Sequence, residues 1–218
     1  MTVWFAIPSK REPSAAETCL AKWRGQGCKI ALWRDLEDPP IPADLSLSGK
    51  YRGYHHAINS LCREILTRDS EAQWIVTGGD DIDPDPNKTA LQIAQECTGH
   101  FHGTFGVMQP TGDKWGTPDH FCGSPWMGRE FCRRMYQGNG PWCEAYFHMW
   151  GDLEMWEVAT KLGVMWARPD LTHYHHHWQR ERIPEPDFLK VANQCHPKLK
   201  QLFEERRAAG FPGHEPIP

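Results

Sequence analysis

Short apolar runs alternate with amphipathic stretches from the first residues of the chain. Residues 3–7 (VWFAI) are uniformly apolar, are halted by Pro8, and give way to Ser9, Lys10 and Arg11. A run that short, bounded by proline, predicts a buried strand ending in a polar loop. Over 14–25 (SAAETCLAKWRG) the apolar positions recur at helical spacing. Ser14 and Glu17 stand at the spacing of a capping box, and Gly25 and Gly27 stop the helix. Residues 28–33 (CKIALW) predict a second strand with Arg34 and Asp35 at its carboxyl end. Strand, helix, strand in that order implies a parallel pair joined by a crossover helix.

The pattern continues with a Pro-, Asp- and Ser-rich loop over 36–49 and a helix over 51–67 that places Tyr54, Ile58, Leu61 and Ile65 on one face. A third strand at 74–77 runs into an acidic turn at 78–87 (GGDDIDPDPN), followed by a helix over 89–97 and a strand at 105–108. Residues 112–125 are irregular, 127–136 and 152–162 predict helices, Gly163 closes the second of these, and 164–166 predicts a late strand. A charged helix over 187–209 precedes a Pro/Gly tail. The expectation is an α/β domain with a mostly parallel central sheet flanked by helices over 1–180, and a helical extension and tail over 181–218.

Composition narrows the classes. A chain of 218 residues can bury one core. With 39% apolar residues, 11 Trp and 9 Phe it is no solvated polymer. A net charge of -4 argues against an indiscriminate nucleic-acid coat. No run approaches the roughly 18 apolar residues of a membrane helix, and the start MTVWFAIPSKREP turns polar where a secretory peptide would stay apolar. A cytoplasmic protein is expected, in the host cytoplasm if it is viral, with no membrane partner. The eight cysteines form no CxxC pair and read as reduced, mostly buried thiols.

In an open parallel sheet ligands bind beyond the carboxyl ends of the strands. Three such ends are polar here: 8–11, 34–35 and 79–83. Asp80, Asp81, Asp83 and Asp85 repel one another, and that density suits hard carboxylate ligands for magnesium or manganese better than it suits a plain turn. The glycines before them let the backbone approach a bulky ligand. Asp85 and Asn87 read instead as caps of the next helix. Residues 173–177 (HYHHH) would send alternate imidazoles to one side if extended, with His175 and His177 the favoured metal ligands. Around residues 123–129, Trp126 could stack an acceptor ring and Arg129 could hold a phosphate, and Trp142 is a second aromatic candidate.

Taken in order, these motifs resemble the GT-A glycosyltransferases, and within them the inverting family-two-like group that includes small enzymes of the bacteriophage type. The resemblance covers residues 3–178. It implies a Rossmann-like GT-A fold and a donor site built from Pro8, Ser9 and Arg11 after the first strand, Asp35 near the base, Asn59 on the following helix, and Asp80 on the ribose. The family's Asp-x-Asp motif falls either on Gly79-Asp80-Asp81 or on Asp81-Ile82-Asp83, so that Asp81 and then Asp83 would hold Mn2+ or Mg2+ with His175 and His177. Asp152 in Trp150-Gly151-Asp152-Leu153-Glu154 matches the catalytic base of inverting members, though an N-cap role alone would also explain it. The implied activity moves a sugar from a nucleotide sugar, a UDP-sugar by analogy, to an acceptor hydroxyl such as that of a hydroxymethylated base in phage DNA. The competing reading is a metal-dependent hydrolase or nuclease using the Asp turn and the His cluster with water as nucleophile. A non-catalytic nucleotide-binding module would have little use for both Asp152 and the carboxylate turn.

Overall fold

The first apolar run becomes the middle of the sheet. In the computed structural model, which describes residues 1–113 and 120–218 and, within these, all side chains but those at 188, 191 and 192, the order is β1 (Thr2–Pro8), α1 (Pro13–Gly25), β2 (Lys29–Arg34), β3 (Leu45–Ser48), α2 (Tyr54–Arg68), β4 (Ala72–Val76), β5 (Ile82–Asp83) and α3 (Ala90–Phe101). There follow β6 (Val107–Pro110), β7 (Trp126–Gly128), α4 (Arg129–Gly138), α5 (Gly151–Lys161), β8 (Met165–Arg168), β9 (Tyr174–His175), α6 (Trp178–Glu181) and α7 (Asp187–Ala208). Among the described residues seven strands form the main sheet in the order β3-β2-β1-β4-β7-β6-β8. Strands β3, β2, β1 and β4 are parallel, β7 runs against both β4 and β6, and β6 is parallel to β8.

Alternation along β1 sends Trp4 and Ala6 into one core and Val3, Phe5 and Ile7 into the other, and all five are buried. A strand covered on both faces has no solvent side, hence the continuous apolar run. On the second face Trp23 of α1 stacks on Phe5, ring centroids 4.1 Å apart. The first face is filled from α2, α4 and α5 and by Leu199, Phe203 and Phe211 near the C-terminus. The extension after residue 180 is therefore packed into the same core as the rest, and the chain forms one α/β domain with a mostly parallel sheet flanked by helices.

Local differences from the sequence reading have local causes. Helix α1 starts at Pro13 with no side-chain cap, and Glu17 pairs with Arg24 instead of closing a box with Ser14. The capping box lies at Thr89 and Gln92 of α3. The loop read over 36–49 contains β3, which pairs with β2 along the outer edge of the sheet. Helix α2 begins at Tyr54 because Gly53 holds φ at 116°, and a side chain there would meet the Phe147 backbone. Trp126–Gly128 is a strand, so the next helix starts at Arg129, and its last turn is non-helical at Met135, Tyr136 and Gln137. Within the irregular stretch read over 112–125, residues 114–119 lie outside the described residues. All eight cysteines are free, seven of them buried, as their scattered spacing predicts. No helix of the described residues is long and apolar enough to cross a membrane.

Candidate active site

Because β1, β2 and β4 are parallel, their polar carboxyl ends meet at one edge, where they open into a cavity of about 570 Å3. Pro8, Ser9, Arg11, Asp35, Asp80, Asp81, Asp152, His175 and His177 all line it. Arg34, at the end of β2, is buried, and its guanidinium donates to the carbonyls of Ser9, Arg11 and Pro39, fixing the two loops that form the floor. The Asp35 carboxylate accepts from the Tyr51 amide at 3.1 Å.

The acidic turn is held from behind. The Ile82 carbonyl accepts from the Trp23 indole at 2.8 Å and from the Cys19 thiol at 3.2 Å. A Cβ on Gly79 would lie 2.2 Å from Asp81 Oδ1, so a side chain here would displace the Asp81 carboxylate. Asp80 accepts from Ser9 Oγ at 2.6 Å and from Arg11 Nε at 3.0 Å. Burial pushes the Asp80 carboxyl up despite these partners, with Asp81 adding repulsion. Burial would raise Asp81 too, but the hydrogen bond and charge of His175, with Arg11 behind them, outweigh it and hold Asp81 below the usual range. Strand β5 pairs antiparallel with β9, Ile82 opposite His175, and this brings His175 Nε2 to 3.5 Å from Asp81 Oδ1. Asp83, the alternative register, points out of the cavity to Lys22 and to His176 Nε2, at 2.9 Å from the latter.

Among the described residues no three His, Cys, Asp or Glu side chains cluster as a ready-made metal cage. Magnesium-like ions are commonly held by one or two protein ligands and completed by substrate phosphates and water. Asp81 and His175 fit that incomplete arrangement, with His177 next to His175 at 5.2 Å between ring centroids. Burial, with the neighbouring His175, lowers the pKa of His177, leaving its ring the neutral form that ligation requires.

Also lining the cavity, Asp152 lies in the first turn of α5, two residues past the cap position, which is occupied by Trp150 at φ 75°. An N-cap role does not account for it. Its carboxylate accepts from the Leu153 amide at 3.0 Å, and burial raises its pKa to about 6. Gly151 beside it allows His55 to pack closely, since a Cβ there would lie 2.4 Å from His55 Nε2. Glu154 on the same helix faces inward. It is fully buried and accepts from Tyr136, Tyr146 and both Nε and Nη2 of Arg206 at 2.7–2.9 Å.

Four sequence-predicted residues do other work. Asn59 is buried, donating to the Trp142 carbonyl at 2.9 Å and accepting from the Trp142 amide at 3.1 Å, so it fastens a loop rather than facing the cavity. Trp126 is core, with its indole on His173 Nε2 at 3.3 Å. Arg129 donates to the carbonyls of Leu66, Asp69 and Ala72 and so closes the C-terminal end of α2. Asp83 is the fourth, as above. The expected alternation of the histidines is also broken: His173 is buried against Ser124 Oγ at 2.8 Å, and burial lowers its pKa to about 4. Asp85 bonds the Asn87 and Lys88 amides and, with its other oxygen, the Thr172 amide, which ties the acidic turn to the histidine segment. Trp142, Tyr54 and His148 do line the cavity. Tyr54 and His148 come from the N-terminus of α2 and the loop before α5, and no spacing signal marks either.

No family model and no curated protein matches this chain. Solved structures do. The catalytic domain of Drosophila beta1,4galactosyltransferase 7, crystallised with xylobiose, is similar over 85% of this chain and 75% of its own, with TM-score 0.51 and 14% identity. The Staphylococcus aureus protein TarS, residues 1–349, is similar over 80% of this chain and 60% of its own, with TM-score 0.51 and 9% identity. At such identities the likeness lies in the fold, which is that of the GT-A glycosyltransferase catalytic domains.

Proposed function

We propose that the chain is a glycosyltransferase that moves a sugar from a nucleotide-sugar donor to an acceptor hydroxyl. One observation carries the reading: a half-buried carboxylate whose desolvation raises its pKa to about 6, Asp152, opens into the same cavity as Ser9, Arg11, Asp35, Asp80 and Asp81. A carboxylate of that basicity is better matched to taking a hydroxyl proton than an ordinary aspartate.

In this mechanism Asp35 and the loop at Pro8 and Ser9 bind the nucleoside, and Asp80, fixed by Ser9 and Arg11, meets the ribose. Asp152 takes the proton of the acceptor hydroxyl as that oxygen attacks the anomeric carbon. The bond from that carbon to the diphosphate breaks, and its electron pair leaves with the diphosphate. Asp81 and His175, with His177 beside them, would hold manganese or magnesium, which when bound supplies positive charge against the diphosphate. A single base sharing the cavity with the Asp turn suits one direct displacement, with inversion at the anomeric carbon.

Purified protein, manganese and a panel of UDP-, GDP- and dTDP-sugars, with candidate acceptors that include hydroxymethylated DNA, test the proposal. Nucleoside diphosphate release that depends on acceptor and is lost in Asp152→Asn is the expected result. Product anomeric configuration by NMR reads inversion directly. Cleavage of plain DNA or a phosphodiester without any sugar donor would move the assignment to a hydrolase.

A further inference from the structure

The two sides of the cavity differ in chemistry. The strand-end loops present Ser9, Lys10, Arg11, Asp35 and Asp80, whereas the segment after the histidines contributes Trp178, Ile183, Pro186 and Leu189 to the same cavity. None of these four carries a charge, and only the Trp178 indole can donate a hydrogen bond. Ile183 is 54% exposed, so the structure leaves a large aliphatic side chain open to the substrate space. Exposed aliphatic surface gathered at one wall is stabilised by covering it with apolar surface.

Nucleic-acid backbones are held chiefly by cations and hydrogen-bond donors aimed at phosphate. The four wall residues supply no cation; the basic side chains lining the cavity, Lys10 and Arg11, come from the loop after β1, and the nearby Arg180 is engaged, pairing with Asp113 at 2.6 Å and stacking over Tyr174. A sugar hydroxyl gains nothing against Ile183, Pro186 or Leu189, whereas an alkyl chain or aryl ring does.

We infer that the acceptor bears its hydroxyl on a molecule with an apolar moiety, an alkyl or aryl aglycone, which lies against Trp178, Ile183, Pro186 and Leu189. The inference rests on the glycosyl-transfer reading and names the acceptor class for it. It also gives the segment beyond residue 180 a part in substrate recognition.

Binding of methyl and n-octyl β-D-glucoside is measured by calorimetry, the octyl compound below its critical micelle concentration, with and without UDP and manganese. Octyl glucoside should bind roughly tenfold or more tightly than the methyl compound, as burial of several methylenes requires. Ile183→Asp alone, at an exposed position, should cut that preference severalfold, and Ile183→Asp with Leu189→Asp should abolish it, both leaving UDP affinity unchanged. Equal affinity for the two glucosides, or an octyl preference that survives Ile183→Asp, overturns the inference. Tighter binding of an oligonucleotide containing hydroxymethylcytosine, indifferent to Ile183→Asp, overturns it in favour of a DNA acceptor. Failure of UDP to bind the unaltered protein counts against glycosyl transfer itself and leaves the octyl comparison to be read independently.

Discussion

Asp152 and Asp81 are both half-buried carboxylates lining one cavity, and their surroundings drive them in opposite directions. Asp152 has only backbone amides to offset burial, whereas Asp81 has His175 and Arg11. With the Asp152 pKa at about 6, turnover should rise with pH through an apparent pKa near 6, because the base works deprotonated. A pH profile of kcat/KM checks this, and Asp152→Asn should lower kcat by roughly 10^2–10^4 with UDP affinity kept. Stability carries the opposite sign. The raised folded-state pKa means that between pH 3.8 and about 6 the unfolded chain gives up this proton first, so stability falls across that window and the full penalty persists above it. Asp152→Asn should therefore stabilise the protein at pH 7.5, on the order of 1–3 kcal/mol, and change little near pH 3.5 in urea titrations. The register of the Asp turn is a second test at this scale. Asp81→Ala should abolish manganese-dependent diphosphate release. Asp83→Ala, which removes only a surface contact to Lys22 and His176, should keep it and cost about 1 kcal/mol or less. These side-chain fates were partly legible. Strand ends mark Ser9, Arg11, Asp35 and Asp81 as cavity residues, but Asn59, Trp126 and Arg129 have the right residue types in the wrong surroundings, and no one-dimensional pattern distinguishes those cases.

Helix α5 carries two carboxylates with separate tasks, as the turn of about 100° per residue requires. Asp152 looks into the cavity, and Glu154 looks into the protein, where Arg206 of α7 grips it in a bidentate pair. The helix bearing the proposed base is thus pinned by the far end of the chain. Removing the cation alone would leave a buried anion with only Tyr136 and Tyr146 as donors. Arg206→Met should cost about 3–5 kcal/mol in denaturant unfolding, and adding Glu154→Gln should recover part of the loss. Strands of four to six apolar residues and helices with a clear period were readable from the sequence. The short strands β3, β5 and β9 were not, because two to four residues acquire strand geometry only from the partner they pair with. The capping box at Thr89 and Gln92 forms where that at Ser14 and Glu17 does not, since Glu17 has Arg24 within reach and Pro13 already sets the first turn.

On the scale of the whole molecule, the C-terminal extension is part of the domain: Leu199, Phe203 and Phe211 fill the core over α5, and Arg206 neutralises Glu154. Deleting residues 181–218 should therefore give a protein without a cooperative thermal transition, measured by calorimetry, and not a smaller active domain. The order of apolar runs and amphipathic stretches determined by itself that the chain is an α/β protein with a parallel sheet, because periods of 2 and 3.6 are properties of neighbouring residues. It likewise determined that the polar ends of the first, second and third predicted strands meet at one cavity, since parallel strands present those ends together. Which of Asp81 and Asp83 faces the cavity, which histidine joins it, and whether the last 38 residues belong to the core were decided by contacts between segments far apart in the chain, such as β5 with β9 and α5 with α7. Such contacts depend on shape and burial in three dimensions, and local sequence carries no record of them.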